Sequence, residues 1–269
     1  MYYKEFLRAR NSVFIYTLVW AGLFLLTAIL SVWLPMGEEA HKAAHVGGNL
    51  IPQPWPNLLG FAAIAASIVA TVLGSTLSQE ADGHLEFALT KPASRVAYAS
   101  VMIAVDFAAI IVAVFVGFAF VWLHYAIFHH TTTGCCQGYR LVAGPDPVFN
   151  TLRFLLFPLA WYAIIAGLSA GWRGKAGIVQ GLIWPLAIAI AALRELPSTG
   201  GWQAWHDLFV ALNVFNPLMY VSYNDRVSET TVQFAAGHAL PAIVSAAMLA
   251  LFMFAGWASA ALQWRRVEA

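Results

Sequence analysis

Few side chains in this sequence could do chemistry, and they fall in three places. The first is the run Ser78-Gln79-Glu80-Ala81-Asp82-Gly83-His84-Leu85-Glu86-Phe87-Ala88-Leu89-Thr90-Lys91-Pro92-Ala93-Ser94-Arg95, with acids at 80, 82 and 86 and bases at 91 and 95. The second is Asp106, an acid inside a long apolar run. The third is a scatter of metal-capable residues: His41, His45, His124, His129, His130, Cys135 and Cys136. A carboxylate at the middle of a membrane costs at least about 2.5–3.5 kcal/mol. Asp106 must therefore face protein or water, or carry a proton. It is a candidate substrate or proton site, or else an interhelical hydrogen-bond partner. The histidines and cysteines could line a metal site, but their spacing is loose. His41-x-x-x-His45 lacks the glutamate of a zinc protease. The sequence therefore favours solvated or interfacial histidines, two unpaired thiols at Cys135 and Cys136, and no metal ligands.

Phosphate chemistry is not expected in the chain itself. Gly171-Trp172-Arg173-Gly174-Lys175-Ala176 has the wrong spacing for a phosphate-binding loop and lacks its hydroxyl.

The elements that hold these residues are read from composition. Of 269 residues, 61% are hydrophobic and 10% charged, against about 25% charged in soluble domains. Lipid is the expected solvent. A net charge of +1 argues against a nucleic-acid partner, which needs a concentrated basic patch. Apolar runs predict six membrane helices at about 13–34, 57–77, 96–125, 151–170, 176–193 and 236–262, each near the roughly 20 residues a crossing needs. They form one domain over 1–269. The first run is too long for the core of a cleavable signal peptide.

Residues 2–12 place Tyr2, Tyr3, Phe6 and Leu7 opposite Lys4, Glu5, Arg8 and Asn11, which suits a helix lying in the membrane interface. Pro158 predicts a kink in the fourth span. Gly167-x-x-x-Gly171 and Gly177-x-x-x-Gly181 predict close packing of spans four and five. Trp202, Trp205, Leu208, Phe209, Leu212 and Phe215 repeat at helical spacing and predict an interfacial or re-entrant helix before span six.

With six spans the termini share a side. That side carries Lys4, Arg8, Arg10, Lys91, Arg95, Arg173, Lys175, Arg265 and Arg266, which outnumber Lys42, Arg140, Arg153, Arg194 and Arg226 opposite. Basic residues favour the cytoplasm, so both termini and the charged run are expected there. Pro92 stops any helix begun in that run. A short charged helix between two spans suits a soluble partner that grips it.

Two stretches carry a resemblance. Glu80-x-Asp82-Gly83-x-Leu85-Glu86-x-x-Leu89-x-x-Pro92-x-Ser94-Arg95 resembles the signature of ABC-2-type transporter permeases between their second and third spans. Phe215-Asn216-Pro217-Leu218-Met219-Tyr220, followed by Arg226, resembles that family's stretch before the last span. His84 departs from the small or hydroxylated residue expected after the glycine. The resemblance implies an all-α, six-span permease subunit in the inner membrane, not itself an enzyme. It implies a cytosolic coupling helix in which Glu80, Asp82, Gly83, Leu85, Glu86, Leu89, Pro92 and Arg95 meet a separate ABC ATP-binding subunit. It places Asn216, Pro217 and Tyr220 in an outer-loop motif. It also implies pairing of two permeases, as homodimer or heterodimer, with ATP and magnesium held by the partner and no cofactor in this chain. Export is then the expected function. The rival reading is a membrane enzyme or metal-binding protein using the outer histidines and cysteines.

Overall fold

The computed structural model describes residues 2–33, 54–79, 95–129, 147–170, 176–194, 196–197, 199–221, 231–235 and 238–267. Seven α-helices account for most of them: α1 (Tyr2–Trp33), α2 (Pro54–Gln79), α3 (Arg95–His129), α4 (Pro147–Ser169), α5 (Ala176–Leu193), α6 (Gln203–Asn213) and α7 (Ala242–Val267). Two short strands, β1 (Thr231–Ala235) and β2 (His238–Pro241), pair antiparallel just before α7.

Four of these helices are long and apolar enough to cross a membrane, over Glu5–Ile29, Ser100–Leu123, Leu152–Ala170 and Ile243–Gln263. Shorter apolar helical stretches lie at Ala62–Thr76 and Gly177–Leu193. Their outer surfaces fit lipid rather than water. On α1, Phe14, Ile15, Leu18, Val19, Leu25, Leu26 and Ile29 are all exposed, a continuous apolar surface that soluble proteins rarely tolerate.

Side-chain contacts fix the direction of each helix. Arg8 meets Asp106, and Trp20 stacks on Phe120, so α1 and α3 run parallel. Thr71 meets Trp161 and Gly74 meets Ser169, so α2 and α4 run parallel. Thr71 also meets Trp184, while Ser75 meets Gln180, so α5 runs against α2. Ala163 faces Gly256 and Gly167 faces Gln263, so α7 runs with α4. Asp106, early in α3, meets Tyr162, late in α4, so these two oppose each other. The six long helices α1 to α5 and α7 therefore alternate in direction along the chain.

Helix α4 is the axis of this bundle. Phe154, Phe157, Trp161, Tyr162 and Ile165 are almost fully buried against α2 and α7. Two glycines permit the closest approach. A Cβ added to Gly256 would lie 2.8 Å from Ile164 N and nearer still to the Ala163 carbonyl, and one added to Gly167 would lie 2.9 Å from Gly256 O. Small residues at such a crossing let two backbones meet, which is how helices gain contact where no hydrophobic effect drives them together.

Several expectations are corrected. Residues 2–12 are not a separate interfacial helix; they continue into the first span as α1, since no proline or glycine interrupts residues 2–21. The last long helix begins at Ala242 rather than 236, because 231–241 is taken up by the strand pair ending at Pro241. The described glycines do not pack spans four and five: Gly167 faces α7, and a Cβ at Gly177 or Gly181 would meet nothing within 4 Å; Gly171 lies outside the described residues. Pro158 lies inside α4 and Pro185 inside α5, the setting in which a proline bends a helix without ending it. The order of apolar helices otherwise follows the sequence reading.

The glycine contacts yield a signed prediction. Gly256→Ala must separate α4 from α7 and should cost about 1–3 kcal/mol. Gly181→Ala meets open space and should leave stability unchanged or raise it by up to about 1 kcal/mol, the helix propensity difference. Reversible unfolding in mixed micelles measures both. Equal destabilisation of the two variants would contradict the packing described.

Candidate functional site

Among the described residues, three polar groupings in the apolar interior hold the sequence-predicted residues or join three helices, and each is explained by what lipid forbids. A buried polar group without a partner costs several kcal/mol there, so it must find one within the protein.

The first grouping joins α1, α3 and α4. Glu5 and Arg8 are three residues apart on α1, one helical turn, so their side chains can meet. Arg8 Nη1 lies 2.9 Å from Glu5 Oε2, and Nη2 lies 2.7 Å from Asp106 Oδ1. The Tyr162 hydroxyl donates to the other oxygen, Asp106 Oδ2, at 2.9 Å. Met102, one turn before Asp106, presents its sulfur 3.6 Å from Arg8 Nη1. Phe107 packs edge-on to the Tyr162 ring at 5.4 Å. Glu5, Asp106 and Tyr162 are buried, and the Arg8 side chain is only 20% exposed. Both Asp106 oxygens thus accept a hydrogen bond, one of them charge-assisted. Two carboxylates share one guanidinium in a low-dielectric setting, so Arg8 is the group whose charge holds the others in place.

The second grouping joins α2, α4 and α5. Thr71 donates to Ser67 O at 2.8 Å and accepts the indole N–H of both Trp161 (2.9 Å) and Trp184 (3.0 Å). A hydroxyl has one proton and two lone pairs, so Thr71 is saturated. The two indole rings meet at 4.5 Å between centroids. One turn on, the Gln180 amide bonds the Ser75 hydroxyl.

The third grouping sits at the opposite end of the bundle from Arg8. Asn213 Nδ2 donates to Ile190 O and Phe209 O, each at 2.9 Å. Ile190 O is among the last four carbonyls of α5, which have no partner within their own helix. Asn216 Nδ2 donates to Ala187 O at 2.8 Å, and its Oδ1 accepts from Leu218 N at 3.2 Å. Asn216 therefore caps the short 3-10 turn Pro217–Tyr220, with Pro217 at its first position. The Tyr220 hydroxyl reaches back to Val214 O at 2.9 Å, and burial pushes its phenol above the ordinary value. Arg153, buried on α4, donates to Tyr220 O at 3.2 Å.

The sequence-predicted residues are distributed as follows. Asp106 is the centre of the first grouping, hydrogen-bonded between helices. Asn216, Pro217 and Tyr220 form the third, where they do structural work. Glu80, Asp82, Gly83, Leu85, Glu86, Leu89 and Pro92 lie outside the described residues, as do His41, His45, His130, Cys135 and Cys136. Arg95 is the first residue of α3. Among the described residues no set of three or more His, Cys, Asp or Glu is arranged to hold a metal ion. Sequence reasoning missed Glu5 and Arg8 as partners of Asp106, and missed the Thr71–Trp161–Trp184 centre. One signal was available: Arg8 is a base in the early turns of α1 and Asp106 an acid in the first third of α3. Thr71 offered no comparable signal, since threonine is common in membrane helices.

The charge arithmetic of the first grouping predicts an asymmetry. Arg8→Met leaves two buried carboxylates facing each other and should cost about 3–5 kcal/mol, as for other broken buried pairs. Asp106→Asn leaves Arg8 paired with Glu5 and should cost about 1.5–3 kcal/mol, the scale of a lost hydrogen bond to charge. Unfolding of the two variants in the same micelles separates them, and equal losses would show that Glu5 takes no part. Comparison of the chain with family models, with curated proteins and with solved structures finds no match.

Proposed function

We propose that this chain is the permease subunit of an ABC exporter in the inner membrane. Both termini face the cytoplasm, and the chain pairs with a second permease and a separate ATP-binding subunit. The observation that carries the reading is the strict alternation of the six long helices, with the charged run joining the end of α2 to the start of α3. Four of the six are of membrane length by themselves. Helix α5, with 18 residues, is about 27 Å long, close to the roughly 30 Å hydrocarbon core. Helix α2, with 26 residues, is longer than the core. Six crossings put the charged run at the same end as the start of α1, where basic residues concentrate. The ABC-2 signature in that run supports a grip by an ATP-binding partner.

The mechanism follows from stiffness. Closing of the ATP-binding dimer pulls on Glu80, Asp82, Gly83 and Glu86. That pull reaches α3 at Arg95. Asp106 lies 11 residues further on, about 16 Å along a helix, and is bonded to both α1 and α4. A displacement of α3 is thereby handed to two neighbours at once. ATP can drive such a change only by binding one arrangement better than the other.

Two measurements test the proposal. Purification of the chain in mild detergent should bring an ATP-binding protein with it. Glu86→Lys reverses a charge in the gripped segment and should lower ATP-driven export at least tenfold while membrane insertion stays normal. Unimpaired export by that variant would remove the coupling role.

A further inference from the structure

Between α2 and α5 lies an open groove of about 510 Å3, within the roughly 300–1,000 Å3 range of small-molecule sites. Its walls are Ile64, Ile68 and Val72 from α2 and Ile188 from α5, with Trp184, Thr71 and Gln180 completing the lining. The polar groups are not equivalent. Thr71 is saturated by two indoles and Ser67 O. Gln180 is not. Ser75 spends its proton on Val72 O at 2.9 Å, so it can only accept from Gln180, and the amide must turn Nε2 toward it. The Gln180 Oε1 then remains as an acceptor at the groove with no partner among the described residues.

Depth adds a second constraint. Gln180 lies four residues into α5, about 6 Å from the helix start, so it sits near headgroup level. Ile188 lies five residues from the other end of α5, about 7.5 Å, and Trp184 lies at the middle, so the groove runs along most of the helix. It has one polar end, at the Gln180 amide, and is otherwise lined mainly by apolar side chains. A carbonyl oxygen accepts from a donor and attracts a cation, and it repels an anion.

The geometry points to this groove as a binding site for a single-chain amphiphile with a hydrogen-bond-donating, cationic head, its head at Gln180 Oε1 and its chain running past Trp184 along Ile68, Ile64 and Ile188. This names a substrate class for the export proposed above and rests on that reading for transport, though binding needs no ATP-binding subunit. A long-chain primary amine is the simplest member of the class. Its ammonium can stay at the interface while its chain lies in the groove.

Photolabelling of the full chain in phosphatidylcholine nanodiscs tests it. The probes are a diazirine-bearing hexadecylamine and the same chain ending in a methyl ester, which has no donor. The amine should label peptides containing Ile64–Val72 and Trp184–Ile188 at least tenfold more than the ester, and untagged hexadecylamine should compete. Ile68→Trp fills the groove and should reduce labelling at least tenfold. Gln180→Leu should bring the amine down to the level of the ester. Leu182→Trp, on the exposed outer face of α5, should change nothing. Equal labelling by amine and ester overturns the proposal. So does labelling spread evenly over the lipid-facing side of α1, or a groove shielded from probe by a second copy that cross-links through Ile68→Cys. Amine binding without ATP-driven export would keep the site and remove the exporter reading.

Discussion

Among the described residues, helix α1 makes one ion pair across the bundle, through the Arg8 guanidinium to Asp106. Where its side chains are described only Glu5, Ala9 and Tyr16 are buried; Val13 and Trp20 are partly buried against the core, and a broad apolar face from Phe14 to Ile29 is exposed. In water such a helix would dock by hiding that surface. In lipid it gains nothing by doing so, because hydrocarbon tails are as apolar as leucine. What distinguishes the docked from the undocked state is the charge at Arg8, which has no tolerable place in the hydrocarbon except beside Asp106 and Glu5. A line of aromatic contacts follows from that anchor: Tyr16 on Trp20, then Trp20 and Phe24 on Phe120. Gly117 on α3 makes room for the line, since a Cβ there would meet the Tyr16 hydroxyl at 2.6 Å.

Helix α4 is held by the opposite means. Its aromatic side chains Phe154, Phe157, Trp161 and Tyr162 are all buried, and it touches α2 and α7 through glycine and alanine positions where backbones almost meet. Dispersion between close-packed surfaces is weak per atom pair and large in sum, so α2, α4 and α7 form a rigid slab that needs no charge. The Tyr162 hydroxyl is the point where this slab meets the ion cluster. It adds a hydrogen bond to Asp106 beside the packing of α3 against α2 and α4.

The order of apolar helices was legible in the sequence because lipid imposes length and polarity directly on each segment. The demand on Asp106 was legible too, since a lone acid in an apolar run must have a partner. Which partner was not legible. Arg8 and Asp106 are 98 residues apart, and no local pattern links them. The glycine spacing at 167–181 misled for a related reason: the motif says that two helices approach but not which two. Gly167 serves α7, which begins 75 residues later, while Gly177 and Gly181 look outward. The start of α1 misled because amphipathic spacing from Tyr2 to Asn11 suits a helix lying on a membrane. The same spacing equally suits a span whose first turns bury an ion pair. The charged run at 80–94 carries the functional reading from its sequence alone.

The two ends of the bundle answer different demands. At the end opposite Arg8, Asn213 and Asn216 reach carbonyls on α5, and Tyr220 and Arg153 lock the turn that follows. Nearly every group there is both donor-matched and short-range, so the turn Pro217–Tyr220 is fixed to α4 and α5 as one piece. At the other end, the strongest described bonds of α3 are those of Asp106 to Arg8 and Tyr162, and beyond them α3 faces the α1 aromatic line. The α2–α5 groove lies between the two ends.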